Sequence, residues 1–511
     1  MQKFIIRAWV LVYSMLFDPV RGQTAYTSFK LILNRHLLLF YLLLWQSAHA
    51  QSTKPNILFL FADDLRADAL GCYGNPYVQT PNLDQLARNG TLFSQAHILG
   101  GHHGAICAPS RAMLMSGKGY FRVTDKLNGV TTWPMLLRQK GYHTFMTGKW
   151  HNEPEAVGAS FMEAKNVMLG GMADHYQTPM SDLKPDGTFT EPIKKGFSTD
   201  RFAQTAIDFL DKQTLSKPFV TYVAFTAPHD PRSPLPEYLK RYGTSPLPPN
   251  FMPAHPFHFG SSMTERDEML AAFPRTPEVI KSQLTEYYAM ITHLDEAIGK
   301  ILAKLKEKGL DKNTIIVFAA DNGLAMGSHG LLGKQNLYEH SMRVPLIVSG
   351  KGIPKGQRSD AFVYLFDLFP TFCHQLGIPA PKDLEGKDIS GILQQKTKSV
   401  REQVFTGYRS SVRALRDRRW KLIRYPQVDY TQLFDLQSDP YELNNLANKP
   451  VYAEKVKAMT EDLRKHQRFY GDTALLTASE ILSQVFDYKN VVRKPDQWQP
   501  KEVLEKYFKE N

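Results

Sequence analysis

Asn56-Ile57-Leu58-Phe59-Leu60-Phe61, followed by Ala62-Asp63-Asp64, is the stretch on which the fold turns. A continuous apolar run of this length reads as a strand buried on both faces of a parallel sheet. In open α/β sheets, ligands sit beyond the C-terminal ends of the strands, so Asp63 and Asp64 stand where a site would form. The alternation continues downstream. The pattern predicts helices over 82–89, 132–140, 200–211 and 278–308, and strands over 91–97, 143–147, 219–225, 314–320 and 344–348. The strand at 314–320 also closes on polar groups, Asp321-Asn322-Gly323. Strand and helix in turn predict an α/β fold, a large, mostly parallel sheet sandwiched by helices.

With 511 residues the chain exceeds one ordinary core. Hydrophobic residues make up 43% and charged residues 22%, which excludes a disordered, collagenous or coiled-coil chain. Residues 230–280 are rich in proline, histidine and phenylalanine and read as a long insertion. Past about residue 400 the pattern changes. Residues 404–408, 412–415 and 420–425 alternate as short strands, with a charged turn at Arg416-Asp417-Arg418-Arg419, and 451–469 read as a helix packed on them. The predicted organisation is a signal region over 1–50, a site-bearing α/β domain over 51–400 and a smaller antiparallel-sheet-plus-helix subdomain over 401–511.

The apolar run at 37–45 follows Lys30 and Arg35 and is too short to span a bilayer comfortably. Small residues in Ala48-His49-Ala50 predict signal cleavage between Ala50 and Gln51, and hence a secreted or periplasmic protein without stable membrane insertion. An N-terminal anchor is the competing reading. A second apolar stretch at 4–17 makes Met15 an alternative start. Residues 1–50 carry five basic side chains and one acidic, so their removal takes the formal charge from +12 to +8. A basic exported protein suits an anionic partner, although solvated surface lysines have the same composition. No basic-aromatic array of a nucleic-acid module is present. Three cysteines, Cys72, Cys107 and Cys373, do not make a disulfide scaffold, and at least one is unpaired.

Cys107-Ala108-Pro109-Ser110-Arg111, continuing as Ala112-Met113-Leu114-Met115-Ser116-Gly117, is the strongest local signal. Pro109 can open a helix, which puts position 107 at an N-terminus where N–H groups and the helix dipole favour an anion. Arg111, one turn on, is expected to reach back and grip an anionic oxygen with two N–H groups. Asp63, Asp64, Asp321 and Asn322, brought by two strand ends, form an all-oxygen set that favours Ca²⁺ or Mg²⁺ over zinc.

The Cys107 run resembles the signature of the formylglycine-dependent (type I) sulfatases of the alkaline phosphatase superfamily, the secreted bacterial polysaccharide sulfatases among them. That signature is C-x-P-S-R, four residues, then T-G; Ser116 stands in the threonine's place and keeps its hydroxyl. Gly148-Lys149-Trp150-His151, Ala227-Pro228-His229, and Gly333-Lys334 with Leu337-Tyr338-Glu339-His340 resemble three further segments of the family. So do Leu433-Phe434-Asp435-Leu436 and Asp439-Pro440-Tyr441-Glu442, and the likeness spans roughly 54–450. The resemblance implies that Cys107 is oxidised to formylglycine (3-oxoalanine) by a formylglycine-generating or equivalent maturation enzyme. It implies one calcium per chain, held by Asp63, Asp64, Asp321 and Asn322 with residue 107 as a further ligand. It also implies that Lys149, His151, His229 and Lys334 meet the sulfate or the leaving oxygen, alongside Arg111.

The expected activity is hydrolysis of sulfate monoesters by a formylglycine gem-diol, on a sulfated polysaccharide or its oligosaccharides. Two alternatives stand beside it: a metal-dependent phosphatase or phosphodiesterase of the same superfamily, and a non-catalytic sulfated-glycan-binding protein. The insertion after His229 is expected to overhang the site, with Arg232 touching the sugar. His102 and His103, just before the signature, either line the entrance or merely pack.

Overall fold

Strand β1 (Asn56–Ala62) has no exposed side chain. Ile57, Phe59 and Phe61 enter one hydrophobic core; Leu58, Leu60 and Ala62 enter a second. Side chains alternate along a strand, so an unbroken apolar run demands cover on both faces. The computed structural model describes residues 54–488 and 491–508. The expected signal region, with its cut between Ala50 and Gln51, lies outside the described residues. Apart from the loop 214–217, the described residues belong to one compact unit.

The principal elements after β1 are α1 (Pro81–Arg88), β2 (Gly90–His97), β3 (Gly100–Gly101) and α2 (Cys107–Ser116). Next come β4 (His143–Lys149), β5 (Glu163–Met168), α3 (Ser198–Asp211), β6 (Phe219–Ala224), α4 (Pro277–Glu307) and β7 (Thr314–Ala320). β8 (Arg343–Gly350), β9 (Gln357–Ser359) and β10 (Val363–Tyr364) complete the large sheet. A meander of β11 (Val404–Tyr408), β12 (Val412–Arg416), β13 (Trp420–Tyr425) and β14 (Tyr430–Asp435) follows, then α5 (Ala453–Tyr470) and α6 (Lys501–Tyr507).

The large sheet runs β10-β2-β8-β7-β1-β6-β4-β5, with β9 also paired to β2. β7, β1, β6, β4 and β5 are mutually parallel. β8 runs antiparallel to both β7 and β2. Parallel neighbours need a crossover connection, whereas only a loop and the short helix Glu339–Met342 separate β7 from β8, so the chain simply turns back. The long helix α4 is opened by Thr276, whose side chain accepts from the Val279 N–H, with Pro277 at its first position.

The second sheet is antiparallel except at one edge, where β3 pairs parallel to β11 through Gly100 and Gly407. Gly100 has φ +108°, and a Cβ there would lie 1.9 Å from the Gly407 carbonyl oxygen, so only glycine permits the approach. This pairing ties the small sheet to the segment that leads into α2. α5 covers the small sheet, with Tyr470 stacked on Phe405 at 5.7 Å.

Phe59 is fully buried among Phe61, Trp133, Tyr222 and Phe372, with ring centroids 5.5–6.3 Å away. Phe59→Ala is expected to lower stability by about 3–5 kcal/mol, the usual cost of an aromatic-sized core deletion. Urea unfolding of the two proteins measures it.

Candidate active site

Strands β7, β1, β6 and β4 are consecutive and parallel, so their C-terminal ends lie side by side. Past β1 come Asp63 and Asp64; past β7, Asp321 and Asn322; past β6, His229. β4 ends on Lys149, and His151 follows two residues on. The loops are laced together. The Asp63 N–H donates to the Ala227 carbonyl (3.2 Å) and the Asp64 N–H to Asp321 Oδ1 (3.0 Å). Asp64 and His151 both sit at positive φ, +60° and +61°. Such strained non-glycine positions persist only where the surroundings over-determine them.

Helix α2 begins at Cys107, as Pro109 predicts, and ends on Gly117 at φ +70°. The Ser116 hydroxyl accepts from the Lys118 N–H (3.2 Å) at that end. Ser110 Oγ donates to the Asp321 carbonyl (2.6 Å), fastening the helix to the end of β7. Cys107 Sγ lies 3.1 Å from His151 Nδ1, 3.7 Å from Lys149 Nζ and 3.9 Å from Lys334 Nζ. None of the three cysteines is in a disulfide. Burial pushes the Cys107 thiol up to about 11, against the pull of the two lysines.

Three buried carboxylates face three buried cations. Arg111 donates from Nε (3.0 Å) and a terminal nitrogen (2.8 Å) to Asp321, and from its other nitrogen to the Lys149 carbonyl (2.8 Å). Lys149 pairs with Asp63, and Lys334 with both oxygens of Asp64 at 2.7 and 2.9 Å. Burial works against the Lys334 charge, but Asp64, Cys107 and Asp267 outweigh it and hold its pKa well above the ordinary lysine value. Burial, and then the neighbouring Asp63 charge, push Asp321 up. Burial would also raise Asp63, yet Lys149, His229 and Arg111 leave it below the usual carboxylate range. His151 is driven well below its normal pKa by burial and then by Lys149, Arg111 and Lys334, so it is a neutral imidazole. His229 Nδ1 lies 2.7 Å from the Asp230 carbonyl, an acceptor, so that nitrogen carries the proton. Its Nε2 is 3.5 Å from Asp64.

The donor set fits a hard cation. Asp63 Oδ1 and Asn322 Oδ1 are buried with no hydrogen-bond partner. Oxygen atoms left unsatisfied in a buried site are costly unless something else binds them. Ligand atoms of Asp63, Asp321 and Cys107, and those of Asp63, Asp64 and His229, each cluster closely enough to share one ion.

A cavity of about 440 Å³ opens from Cys107, lined also by His151, His229 and Lys334. Four of the expected site residues therefore meet in one space, with Asp63, Asp64, Asp321, Asn322, Lys149 and Arg111 packed around them. Arg111 departs from expectation. Its guanidinium is turned onto Asp321 and the Lys149 carbonyl and does not line the cavity. His102 and His103 also stay outside the cavity. Both ring Nε2 atoms face Asp125 near the surface, while the next two residues, Gly104 and Ala105, form cavity wall.

Arg232 is a correction. It is 5% exposed, it does not line the cavity, and it donates to the Gln283 side-chain oxygen of α4 at 2.7 Å. Adjacency to His229 in sequence says nothing about which way the side chain turns, and here it turns inward to a buried amide. His255, Phe257 and Phe259 turn inward as well: His255 hydrogen-bonds Tyr338 in the core (3.0 Å), and both phenylalanines are buried.

The insertion reaches the cavity instead through Glu265, Arg266 and Asp267, and the C-terminal tail through Trp498. Gln335 and the loop Gly170–Met172 complete the wall. These residues carry no motif. Only Gln335, next to Lys334, lay within reach of a sequence argument. Gly171 has a steric reason: a Cβ there would sit 2.1 Å from His151 Nε2. Gly171→Ala is expected to push the His151 ring aside and, if His151 handles a proton, to cut kcat about 10²-fold, the lower end of what an acid–base group contributes. Steady-state kinetics beside an unchanged melting temperature would show it.

The family model described as "Sulfatase" matches residues 55–378, well over half of the chain. The chain belongs to the sulfatase family. It is a sulfuric ester hydrolase. A second model, the C-terminal part of N-sulphoglucosamine sulphohydrolase, matches residues 327–468 of this sulfatase. The sulfatase is 28% identical to an N-acetylglucosamine-6-O-sulfatase of Bacteroides thetaiotaomicron over 83% of its own chain and 88% of that one. It is 28% identical to an ulvan-active sulfatase of Formosa agariphila, covering 83% of each chain. A solved structure of a protein in complex with its substrate, D-glucosamine-2-N,6-O-disulfate, superposes with TM-score 0.71 at 28% identity, over 82% of this sulfatase and 99% of that chain. Among the described residues, no helix is long and apolar enough to cross a membrane.

Proposed function

We propose that this sulfatase hydrolyses sulfate monoesters on a sulfated polysaccharide or its oligosaccharides, with residue 107 as formylglycine and one calcium held by Asp63, Asp64, Asp321, Asn322 and residue 107. One observation carries the reading: Cys107, at a helix N-terminus, shares a cavity with His151, His229 and Lys334 above an all-oxygen donor set that has two unpartnered buried oxygens. The curated relatives act on N-acetylglucosamine 6-sulfate groups and on ulvan, as their names state, which supports a sulfated carbohydrate. We also take 51–400 as the catalytic domain, 401–511 as its supporting subdomain, and 1–50 as an export signal, so that the enzyme works outside the cytoplasm.

A sulfate monoester resists attack because its oxygens repel an anionic nucleophile, so the site must supply preorganised positive charge. Calcium, when bound, would supply part of that charge and acidify a hydroxyl beside it. Residue 107, as a hydrated aldehyde, supplies the hydroxyl oxygen that bonds to sulfur in line with the leaving oxygen. Lys334 and His229 flank Asp64 at the cavity wall and are suited to give the leaving alcohol its proton. The neutral His151, 3.1 Å from the Cys107 sulfur, is suited to take the proton from the second hydroxyl as the carbon–oxygen bond to sulfate breaks and the aldehyde re-forms. Arg111 and Lys149 keep Asp321 and Asp63 oriented throughout.

The test is release of inorganic sulfate from a panel of sulfated mono- and oligosaccharides, beside phosphate release from the matching phosphate esters, using enzyme co-expressed with a maturation enzyme. Mass spectrometry of the peptide containing residue 107 reads the modification. Faster phosphate than sulfate release, or an unmodified thiol in fully active enzyme, would overturn the reading.

A further inference from the structure

The C-terminal tail lies outside the residues that either family model matches, which end at 468, yet it returns to the reaction cavity and contributes Trp498. It is fastened on both sides of that residue. Asp496 pairs with Arg266 (2.5 Å) and accepts from the Trp498 backbone N–H (3.0 Å). The Gln499 side chain donates to Asp230 Oδ2 (3.1 Å), next to His229. Arg493 donates to the Met269 carbonyl (2.9 Å), and on α6 Lys506 and Tyr507 bind Glu286 of α4 at 2.6 and 2.8 Å. The indole is therefore a half-buried, flat apolar surface set in the same cavity as Cys107 by polar fastenings that do not themselves need a ligand.

The charges around it are already committed. Arg266 is shared among Asp230, Asp267 and Asp496. Glu265 pairs with Arg409 (2.7 Å), and its carboxylate sits against Gly104. Asp267 accepts from Gln335 (2.8 Å). Among the described lining residues, the other cation is Lys334 at the sulfate end, itself paired with Asp64 and 3.9 Å from Asp267. A second anion on the same sugar would meet the carboxylates of Glu265 and Asp267 with no free cation to pair it, and unpaired buried charge is costly. Hydroxyl hydrogens, by contrast, find acceptors there. The C–H face of a pyranose carries slight positive charge and packs on the negative face of an indole.

We infer that Trp498 forms a sugar-binding subsite beside the sulfate pocket, where it stacks a pyranose that bears the scissile sulfate and is otherwise uncharged, with Glu265 and Asp267 accepting its hydroxyls. This rests on the sulfated-carbohydrate reading above and narrows it: the ring in the cavity is singly sulfated, and a uronic acid or doubly sulfated ring is refused. It also makes the tail, which neither family model matches, a specificity element.

The experiment uses the full-length matured enzyme. Wild type is first assayed on a panel of monosulfated hexoses and N-acetylhexosamines, N-acetylglucosamine 6-sulfate included, and the best substrate is kept. Trp498→Ala is expected to raise its KM about tenfold with a much smaller change in kcat, in line with the contribution of one ring stacked on an aromatic side chain, and Trp498→Phe to recover most of the loss. The same sugar with a second sulfate, such as D-glucosamine-2-N,6-O-disulfate beside its monosulfated parent, is expected to be at least about tenfold poorer in kcat/KM. A KM within twofold of wild type for Trp498→Ala, or equal turnover of the doubly sulfated sugar, overturns the subsite while leaving the sulfated-carbohydrate reading intact. A wild type that cleaves no sulfated sugar but does cleave an aryl sulfate overturns that reading itself. Melting temperatures of the two variants close to wild type exclude a general loss of structure as the cause of a raised KM.

Discussion

Replacing Cys107 by alanine is expected to abolish sulfate ester turnover, a fall on the order of 10⁴–10⁶-fold in kcat, the scale seen when a covalent nucleophile is deleted. The reasoning is geometric. Cys107 is the residue at which the helix N-terminus, His151 and the two lysines Lys149 and Lys334 converge, and the cavity opens from it. No other thiol and no hydroxyl side chain lines that cavity among the described residues. Stability should change little. The side chain is buried but small, and alanine leaves α2 intact with its Ser110 anchor to Asp321; a loss of about 1 kcal/mol is the ordinary size for such a change. Sulfate release and thermal unfolding on the same preparation separate the two effects. Cys107→Ser keeps a hydroxyl at the same point and is expected to be equally inactive in a host whose maturation enzyme accepts only cysteine. Substantial turnover by the alanine variant would remove the covalent mechanism.

Replacing Asp321 by alanine should cost both activity and stability, and this sets it apart from Cys107. Asp321 receives two N–H groups of Arg111 and the backbone N–H groups of Asp64 and Asn322. Arg111 is 1% exposed and would lose its two-pronged partner in the interior, keeping only the longer 3.8 Å approach to Asp63, a loss of about 3–5 kcal/mol. The proposed calcium would lose a charged ligand at the same time, and activity is expected to fall at least about 10²-fold, at or beyond the upper figure for loss of an outer-shell partner. Asp321→Asn keeps the shape and should recover stability more than activity. Metal removal probes the same site without mutation. Chelator-treated enzyme is expected to regain activity with calcium better than with zinc, because the donors are carboxylate and amide oxygens, and calcium should raise the melting temperature by binding the native state. Two zinc ions per chain in the native protein would instead support a phosphatase site.

Much of this site was legible in the residues alone. The run at 56–61 with Asp63 and Asp64 behind it, and 314–320 with Asp321 and Asn322 behind it, predict two strand ends, and the sheet makes those strands neighbours, Ala62 against Ala320. Pro109 announces the helix start that carries Cys107. Such readings succeed because they are local: an unbroken apolar run, a proline and a carboxylate at a strand end each act through the few residues around them. Even so, the sequence left open the direction of β8, which depends on how the chain between residues 321 and 342 turns, and the pairing of β3 with β11, which joins two glycines 307 positions apart.

The sequence by itself determined the α/β class, the strand ends that carry the acids, and the position of Cys107 at a helix N-terminus. Only the tertiary structure decided where the long side chains went. Arg111 turned onto Asp321, Arg232 onto Gln283, and Trp498 came from the far end of the chain into the cavity. A flexible charged side chain settles on whichever buried partner best repays its desolvation, and that partner is set by elements distant in sequence. Backbone periodicity carries no record of that choice.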